Sequence, residues 1–103
     1  MSSRRTLILK LSDDARADII TAHQWYAERN PASASSFIKQ VDRVLGRIQS
    51  FPELFPVFDL GLRRAPLARY PHCIFYHVVD DRIEVEACLH DHRDPTHLRA
   101  RWV

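Results

Sequence analysis

Apolar positions fall first into a short β-rich run, Thr6 to Leu11, and then into two longer stretches with helical spacing. Ala15, Ile19, Ala22 and Tyr26 recur every three or four residues, which predicts an amphipathic helix ending near Arg29. Ser12 is placed to cap it, and Asp13 with Asp14 suit the positive end of the helix dipole. Asn30-Pro31 stops this helix and starts another, because asparagine caps well and proline is tolerated at the first helical position. The second helix carries a broad stripe of Ala34, Phe37, Ile38, Val41, Val44, Leu45 and Ile48 and ends at Phe51-Pro52. So tight a link predicts an antiparallel helical hairpin.

Beyond Phe51 the period changes. Residues 51–61 form a proline-punctuated loop whose three phenylalanines need burial or a partner. Leu60 to Leu67 suits a strand interrupted by Pro66, hence one at an edge or with a bulge. From Tyr70 to His90 two β-rich runs flank the short acidic turn Asp80-Asp81, a hairpin signal. In the second run Ile83, Val85, Ala87 and Leu89 alternate with Arg82, Glu84, Glu86 and Cys88. The apolar set is therefore expected to face the helices, with Glu84 and Glu86 on the open side. The order β-α-α-β-β-β predicts an α+β fold, an antiparallel β-sheet with an N-terminal α-helical hairpin packed on one face. Pro95 to Val103 forms a short arginine-containing tail.

Composition narrows the class. A chain of 103 residues, 46% hydrophobic, supports one core and is expected to form a single domain over residues 1–103. Two glycines and no Ser/Gly-rich tract argue against a flexible linker. No apolar run approaches the roughly 20 residues that span a bilayer. The opening Met-Ser-Ser-Arg-Arg is followed only by Leu7-Ile8-Leu9, too short for a secretory signal, so a cytoplasmic protein without membrane association is expected. Cys73 and Cys88 fall in predicted strands and are expected to be reduced sheet or core residues. The net charge is only +2, yet thirteen of the fifteen cationic side chains are arginine. Arginine forks bind carboxylates and phosphates, so the surface suits an acidic protein partner or nucleic acid, and charge alone leaves both open.

Candidate chemistry is sparse. His90, His92 and His97 lie near Cys88, Asp91 and Asp94, but no paired Cys-x-x-Cys or His-x-x-x-His spacing occurs, so no metal is expected. Only Gly46 and Gly61 exist, which excludes a Gly-rich phosphate loop, and no nucleophile elbow is present. No cofactor is expected. Of Trp25 and Tyr26, adjacent on the first helix, only one can face the core, leaving the other available to a partner. Tyr70 suits the rim of the sheet, and Phe75 and His77 are expected to pack on it.

One stretch ties these elements together. Tyr70-Pro71-x-x-Ile74-x-Tyr76, then the hairpin, the apolar strand and finally His90-x-x-Arg93-Asp94-Pro95 resembles the RelE/ParE family of toxins from bacterial type II toxin–antitoxin pairs. The order of elements extends the likeness over nearly the whole chain, although the specific motifs occupy its second half. The resemblance implies the fold described above, a growth-inhibiting toxin linked to plasmid stabilisation, and a cognate antitoxin that neutralises it in a hetero-oligomer. It also implies a choice between two activities. The ribonuclease branch commonly carries an arginine on the hairpin's first strand, where this chain has Cys73 ahead of Ile74-Phe75-Tyr76, and often a C-terminal catalytic tyrosine or histidine, where this chain has Arg99.

Arg93 matches the family's C-terminal arginine, and Arg63 with Arg64 stand in for the basic strand of the ribonuclease branch. Two glutamates on the open face would repel a phosphodiester by several kcal/mol at ~4 Å unless paired. Pairing with Arg63, Arg64 or Arg69 is the expected remedy. The Tyr-Pro start and His-x-x-Arg-Asp-Pro end are closer to the ParE branch, whose members poison DNA gyrase rather than cut RNA. The expectation is therefore a ParE-like toxin directed at gyrase, needing no catalysis, with no catalytic residue assigned. A RelE-like mRNA endonuclease, ribosome-dependent or free, is the alternative, and a degenerate toxin that survives only as a binding partner fits the same features. Arg63, Arg64, Arg69, His90 and Arg93 are the candidate target-contact or active-site residues.

Overall fold

A computed structural model describes residues 7–90 and Ala100. The elements run β1 (Ile8–Leu11), α1 (Asp13–Arg29), α2 (Pro31–Ser50), β2 (Val57–Asp59), β3 (Leu62–Pro66), β4 (His72–Val79) and β5 (Arg82–His90). The strands form one sheet in the order β1-β5-β4-β3-β2. All neighbours are antiparallel except β1 and β5, so the sheet is mixed rather than purely antiparallel. The helical crossover from β1 makes this possible, since a parallel pair needs a long connection and the α1–α2 hairpin supplies it.

The helices begin and end where the sequence places them. Ser12 Oγ accepts from the Ala15 amide at 3.0 Å. Asn30 alone joins the two helices, its amide donating to the Tyr26 carbonyl at 2.7 Å and its Oδ1 accepting from the Ala32 amide at 3.0 Å. One residue thus caps both helices, and Pro31 opens the second without wasting a hydrogen bond. The α2 stripe of Ala34, Phe37, Val41, Val44 and Ile48 is buried, along with Ala15 and Ala22 of α1. All of these except Ala34 pack on Ala65, Ile74, Tyr76, Ile83 and Val85 from the sheet. Tyr26 packs against this core, while Trp25 stays half-exposed.

Two expectations about the middle of the chain need correction. The 51–61 loop contains the short edge strand β2, which hairpins onto β3 through Leu60 and Gly61, both with positive φ. That is the backbone twist two-residue hairpins favour, and Leu60 adopts it at a cost that glycine would avoid. In consequence β3 is an interior strand. Pro66 is tolerated because it is the last residue of β3, beyond the registered pairing with β2. Of the three phenylalanines, Phe55 and Phe58 pack inward and Phe51 remains half-exposed.

The larger correction concerns β5. Tyr76 pairs with Val85, but its neighbour Phe75 pairs with Ala87, leaving Glu86 as the extra residue of a β-bulge. The bulge inverts the alternation. Ile83 and Val85 face the helices as expected, yet beyond Glu86 it is Cys88 that faces them. Ala87 and Leu89 instead join Leu62, Cys73, Phe75, Phe58 and Leu60 in a second apolar cluster on the opposite face. Cys73 and Cys88 therefore lie on opposite faces, and both are free thiols.

The bulge sits where β1 runs out. The β1–β5 ladder ends at Leu11 and Val85, after which the Ser12 amide donates to the Val85 carbonyl at 2.9 Å and Ser12 Oγ donates to the Glu86 carbonyl at 3.2 Å. Two residues on, the Cys88 amide donates to Asp18 Oδ2 at 2.9 Å. Polar groups at the start of α1 thus replace the missing strand, so the backbone of β5 is satisfied after its neighbour has ended.

Candidate target-contact site

The predicted arginines occupy separate places. Arg63 and Arg64, adjacent on β3, point to opposite faces. Arg63 turns toward the helix side, where Nη1 donates to the Phe55 carbonyl at 2.7 Å and, more weakly, to that of Glu53 at 3.4 Å. It acts with Tyr76, whose hydroxyl donates to the Pro52 carbonyl at 2.7 Å, to pin the 51–56 loop. Burial pushes the Tyr76 phenol up, partly opposed by Arg63 and the Phe55 backbone. Arg64 lies on the other face, its Nε 3.2 Å from Cys73 Sγ and its guanidinium carbon 5.1 Å from the Phe58 ring centre.

Arg69 is in the β3–β4 turn, exposed and with φ of 71°. His90 ends β5, opposite His72, which begins β4. The fold thus brings Arg69 and His90 to one end of the sheet and leaves Arg63 and Arg64 on β3. Arg93 lies outside the described residues.

At that end, aromatic side chains form a compact group. Tyr26 lies 5.3 Å from Phe37, 5.1 Å from Tyr70 and 6.0 Å from His72, centre to centre. The Tyr70 hydroxyl donates to the Ser33 carbonyl at 2.9 Å, so the Tyr-Pro start of β4 is anchored to α2. Beside the group a cavity of about 580 Å³ opens between α1 and the β4–β5 pair, with Asp18, Trp25, Tyr26, His72, Cys88 and His90 on its walls. Few polar groups in a largely apolar hollow are the usual make-up of a binding site.

The polar groups there are perturbed by burial. It lowers the His72 imidazole, helped by His90 and opposed by Asp18, and His72 Nδ1 has no hydrogen-bond partner among the described residues. Burial pushes the Cys88 thiol up to about 12, so this sulfur is an inert packing atom rather than a nucleophile. Tyr26 is likewise raised, by burial and then by Tyr70. Such a set offers shape and aromatic contact, and burial favours the uncharged forms of His72, Tyr26 and Cys88. Sequence reading missed His72 and Asp18. The signal for His72 was present, an imidazole opening an otherwise apolar strand.

A second polar group occupies the sheet face away from the helices, toward the Asp80 turn. His77 Nε2 is 2.9 Å from Glu86 Oε2 and 3.5 Å from Glu84 Oε1, and Arg82 Nε is 2.8 Å from Glu84 Oε2. The hydrogen bond from Arg82 holds the Glu84 carboxyl below its usual value and raises the arginine in return. The glutamates are therefore met by Arg82 and His77, not by Arg63, Arg64 or Arg69 as the sequence suggested. Arg82 is two residues away on the same strand, and His77 directly faces Glu84 in the hairpin register. Trp25, the exposed member of its pair, carries Arg29 stacked 3.7 Å from its ring centre.

A helical hairpin laid on a five-stranded mixed sheet, with a polar and aromatic rim where β4 begins and β5 ends, defines a small α+β domain of the RelE/ParE-like class. A solved structure described as a chromosomal ParDE toxin–antitoxin system from P. aeruginosa has the same fold, with a TM-score of 0.75. The alignment covers 84% of this chain and 98% of that one at 19% identity. The family model for the ParE toxin of the type II toxin–antitoxin system, parDE, matches residues 9–95. The chain belongs to the ParE toxin family and is the toxin component of a type II toxin–antitoxin system. No curated protein matches it closely by sequence. Among the described residues, no helix is long and apolar enough to cross a membrane.

Proposed function

We propose that this toxin, acting in the cytoplasm as one domain over residues 1–103, arrests growth by binding DNA gyrase and is silenced by a cognate antitoxin in a hetero-oligomer. The observation that carries this reading is Cys73. It holds the strand position where the ribonuclease branch commonly places an arginine, and it is fully buried in the second apolar cluster. A thiol walled in there can neither contact a phosphate nor move a proton. Arg64 covers its sulfur and puts a basic contact residue at this point of the open face. Arg69 and His90 at the rim, with Arg63, Arg64 and Arg93, are the residues proposed to meet the target. Arginine forks there suit the carboxylates of a protein surface.

The antitoxin has apolar surface to cover. Trp25, Phe51, Leu54 and Val57 are each close to half-exposed or more. A segment that folds on binding would bury such residues. The test is induced expression with and without the antitoxin, following plasmid supercoiling and transcript integrity together. Free toxin is expected to block gyrase-dependent supercoiling and leave transcripts whole, and Arg93→Ala to relieve toxicity while antitoxin binding persists. Mapped cuts in mRNA would replace this reading with the endonuclease one.

A further inference from the structure

We infer that His77, Glu84 and Glu86 form a binding site for a divalent transition metal, with zinc as the best-suited ion. The inference is independent of which target the toxin binds. Three ligating atoms, one from each side chain, all lie within 4.8 Å of one another. Metal–ligand bonds of about 2.0–2.2 Å require neighbouring ligand atoms of a tetrahedral site to be roughly 3.3–3.6 Å apart. The His77–Glu84 separation of 3.5 Å already meets this, and the 2.9 Å to Glu86 needs to open by only a few tenths of an ångström. Glutamate side chains supply such adjustments by small rotations.

The backbone beneath the group is stiffer than its side chains. His77 stands on β4 directly across from Glu84, in the most extensively paired part of the sheet. In an unbroken strand Glu86 would also share this face, but the bulge makes it the extra residue, with its carbonyl held by Ser12. The side chain leans back over His77, and both carboxylates aim at one imidazole nitrogen. Arg82 takes Glu84 Oε2, which leaves Oε1 turned to His77. It is a positioning residue of the kind that fixes a ligating carboxylate from outside. The side chains are between 16% and 31% exposed, partly shielded yet open to an arriving ion.

Donor type selects the ion. One imidazole nitrogen with two carboxylate oxygens matches zinc and its transition-metal neighbours, whereas calcium and magnesium prefer oxygen alone. Three protein ligands leave a fourth position for water or a group from a partner molecule. The charged groups nearby, Arg82 and Lys10 around Glu84 with Asp80 and Asp81 around Arg82, leave four carboxylates against two cations once Glu86 is included, an excess of negative charge that favours a cation. A proton on His77 competes with the metal, so binding weakens as the medium is acidified.

The test is calorimetric titration of the chelator-stripped full chain with zinc chloride at pH 7.5, with cobalt absorption as a second probe of geometry. If the chain needs its antitoxin for solubility, wild type and variants are compared in the same complex. We expect one site, weakened at least about tenfold by His77→Ala and likewise by Glu84→Gln with Glu86→Gln. Replacing His90, His92 and His97 together by alanine leaves that site in place. Far-UV circular dichroism and melting curves establish that each variant is folded. Zinc affinity unchanged in folded His77→Ala overturns the assignment. So does loss of binding only when the three C-terminal histidines are replaced, or no binding by the wild type.

Discussion

His72 and His77 stand five residues apart on one strand and live in opposite surroundings. An odd separation sends them to opposite faces, so β4 presents one imidazole to the helices and the other to solvent. His72 is buried against Phe37 and His90, at 5.2 and 5.4 Å between ring centres, and its Nδ1 meets no hydrogen-bond partner among the described residues. His77 lies partly exposed between two carboxylates. Near the Asp80 turn the hairpin is polar on one face and apolar on the other. At its far end both faces are apolar, and the chemistry that survives is aromatic. Charge can be kept where water still reaches it, whereas a buried group must be neutral or paired. The bulge at Glu86 separates the two regimes, which makes it the point at which the comparison is most easily broken.

Inserting one alanine between Ala87 and Cys88 should have the largest effect. It leaves the bulge in place but turns Cys88 and Leu89 to the opposite faces, so Cys88 leaves the helix-side core and Leu89 is driven against the helices. We expect loss of cooperative thermal unfolding by circular dichroism. A sharp transition within a few degrees of wild type would show that the faces set by the bulge are incidental. Ser12→Ala attacks the same place from α1. It removes an N-cap worth about 1 kcal/mol and the hydroxyl that satisfies the bulged Glu86 carbonyl. Together these predict a loss of about 1–3 kcal/mol by denaturant titration. An unchanged midpoint would mean that water replaces both contacts at no cost.

Much of this was legible in the sequence, and the failures share one cause. Asn30-Pro31, Ser12 and the α2 stripe act locally, so their signals survive into the fold unchanged. The parallel placement of β1, the interior position of β3 and the bulge are decided by partners distant in sequence. Nothing in Ile83 to Leu89 announces a break in its alternation, because alanine and cysteine are small enough for either face. The candidate contact residues suffered likewise. Arg63 and Arg64 form one basic pair in sequence, yet the pleat turns them apart. His77, Glu84 and Glu86 look unrelated until the hairpin closes.

The two histidines can be tested singly. Burial depresses the His72 imidazole, so the fold holds its neutral form. The unfolded chain takes up the proton more readily, and stability therefore rises with pH through this range. The contribution is whole above the ordinary value of 6.5 and is lost as pH falls through it toward the lowered folded value. His72→Phe keeps a ring against Phe37 and Tyr26 and removes the unpartnered nitrogen. At pH 7.5 we expect a change within about 1.5 kcal/mol, as for other shape-conserving core exchanges. Between pH 7 and pH 5 the variant should lose less stability than wild type. Equal losses would place the acid sensitivity elsewhere, with His90 and Asp18 the nearest groups to examine.

His77→Gln should do least. The imidazole is about a quarter exposed and its carboxylate contacts are open to solvent, where an ion pair contributes about 0–1 kcal/mol. Glutamine retains a donor for Glu86 and does not disturb the ladder of β4, whose bonds come from the backbone. We therefore expect a denaturation midpoint close to wild type at pH 7.5 without added metal. A loss of 2 kcal/mol or more, above the range for exposed pairs, would make the polar end of the hairpin a structural support, as the aromatic end is. An unchanged midpoint leaves the convergence of three ligating groups on this face without a role in stability, so that a ligand for them becomes the better explanation of their arrangement.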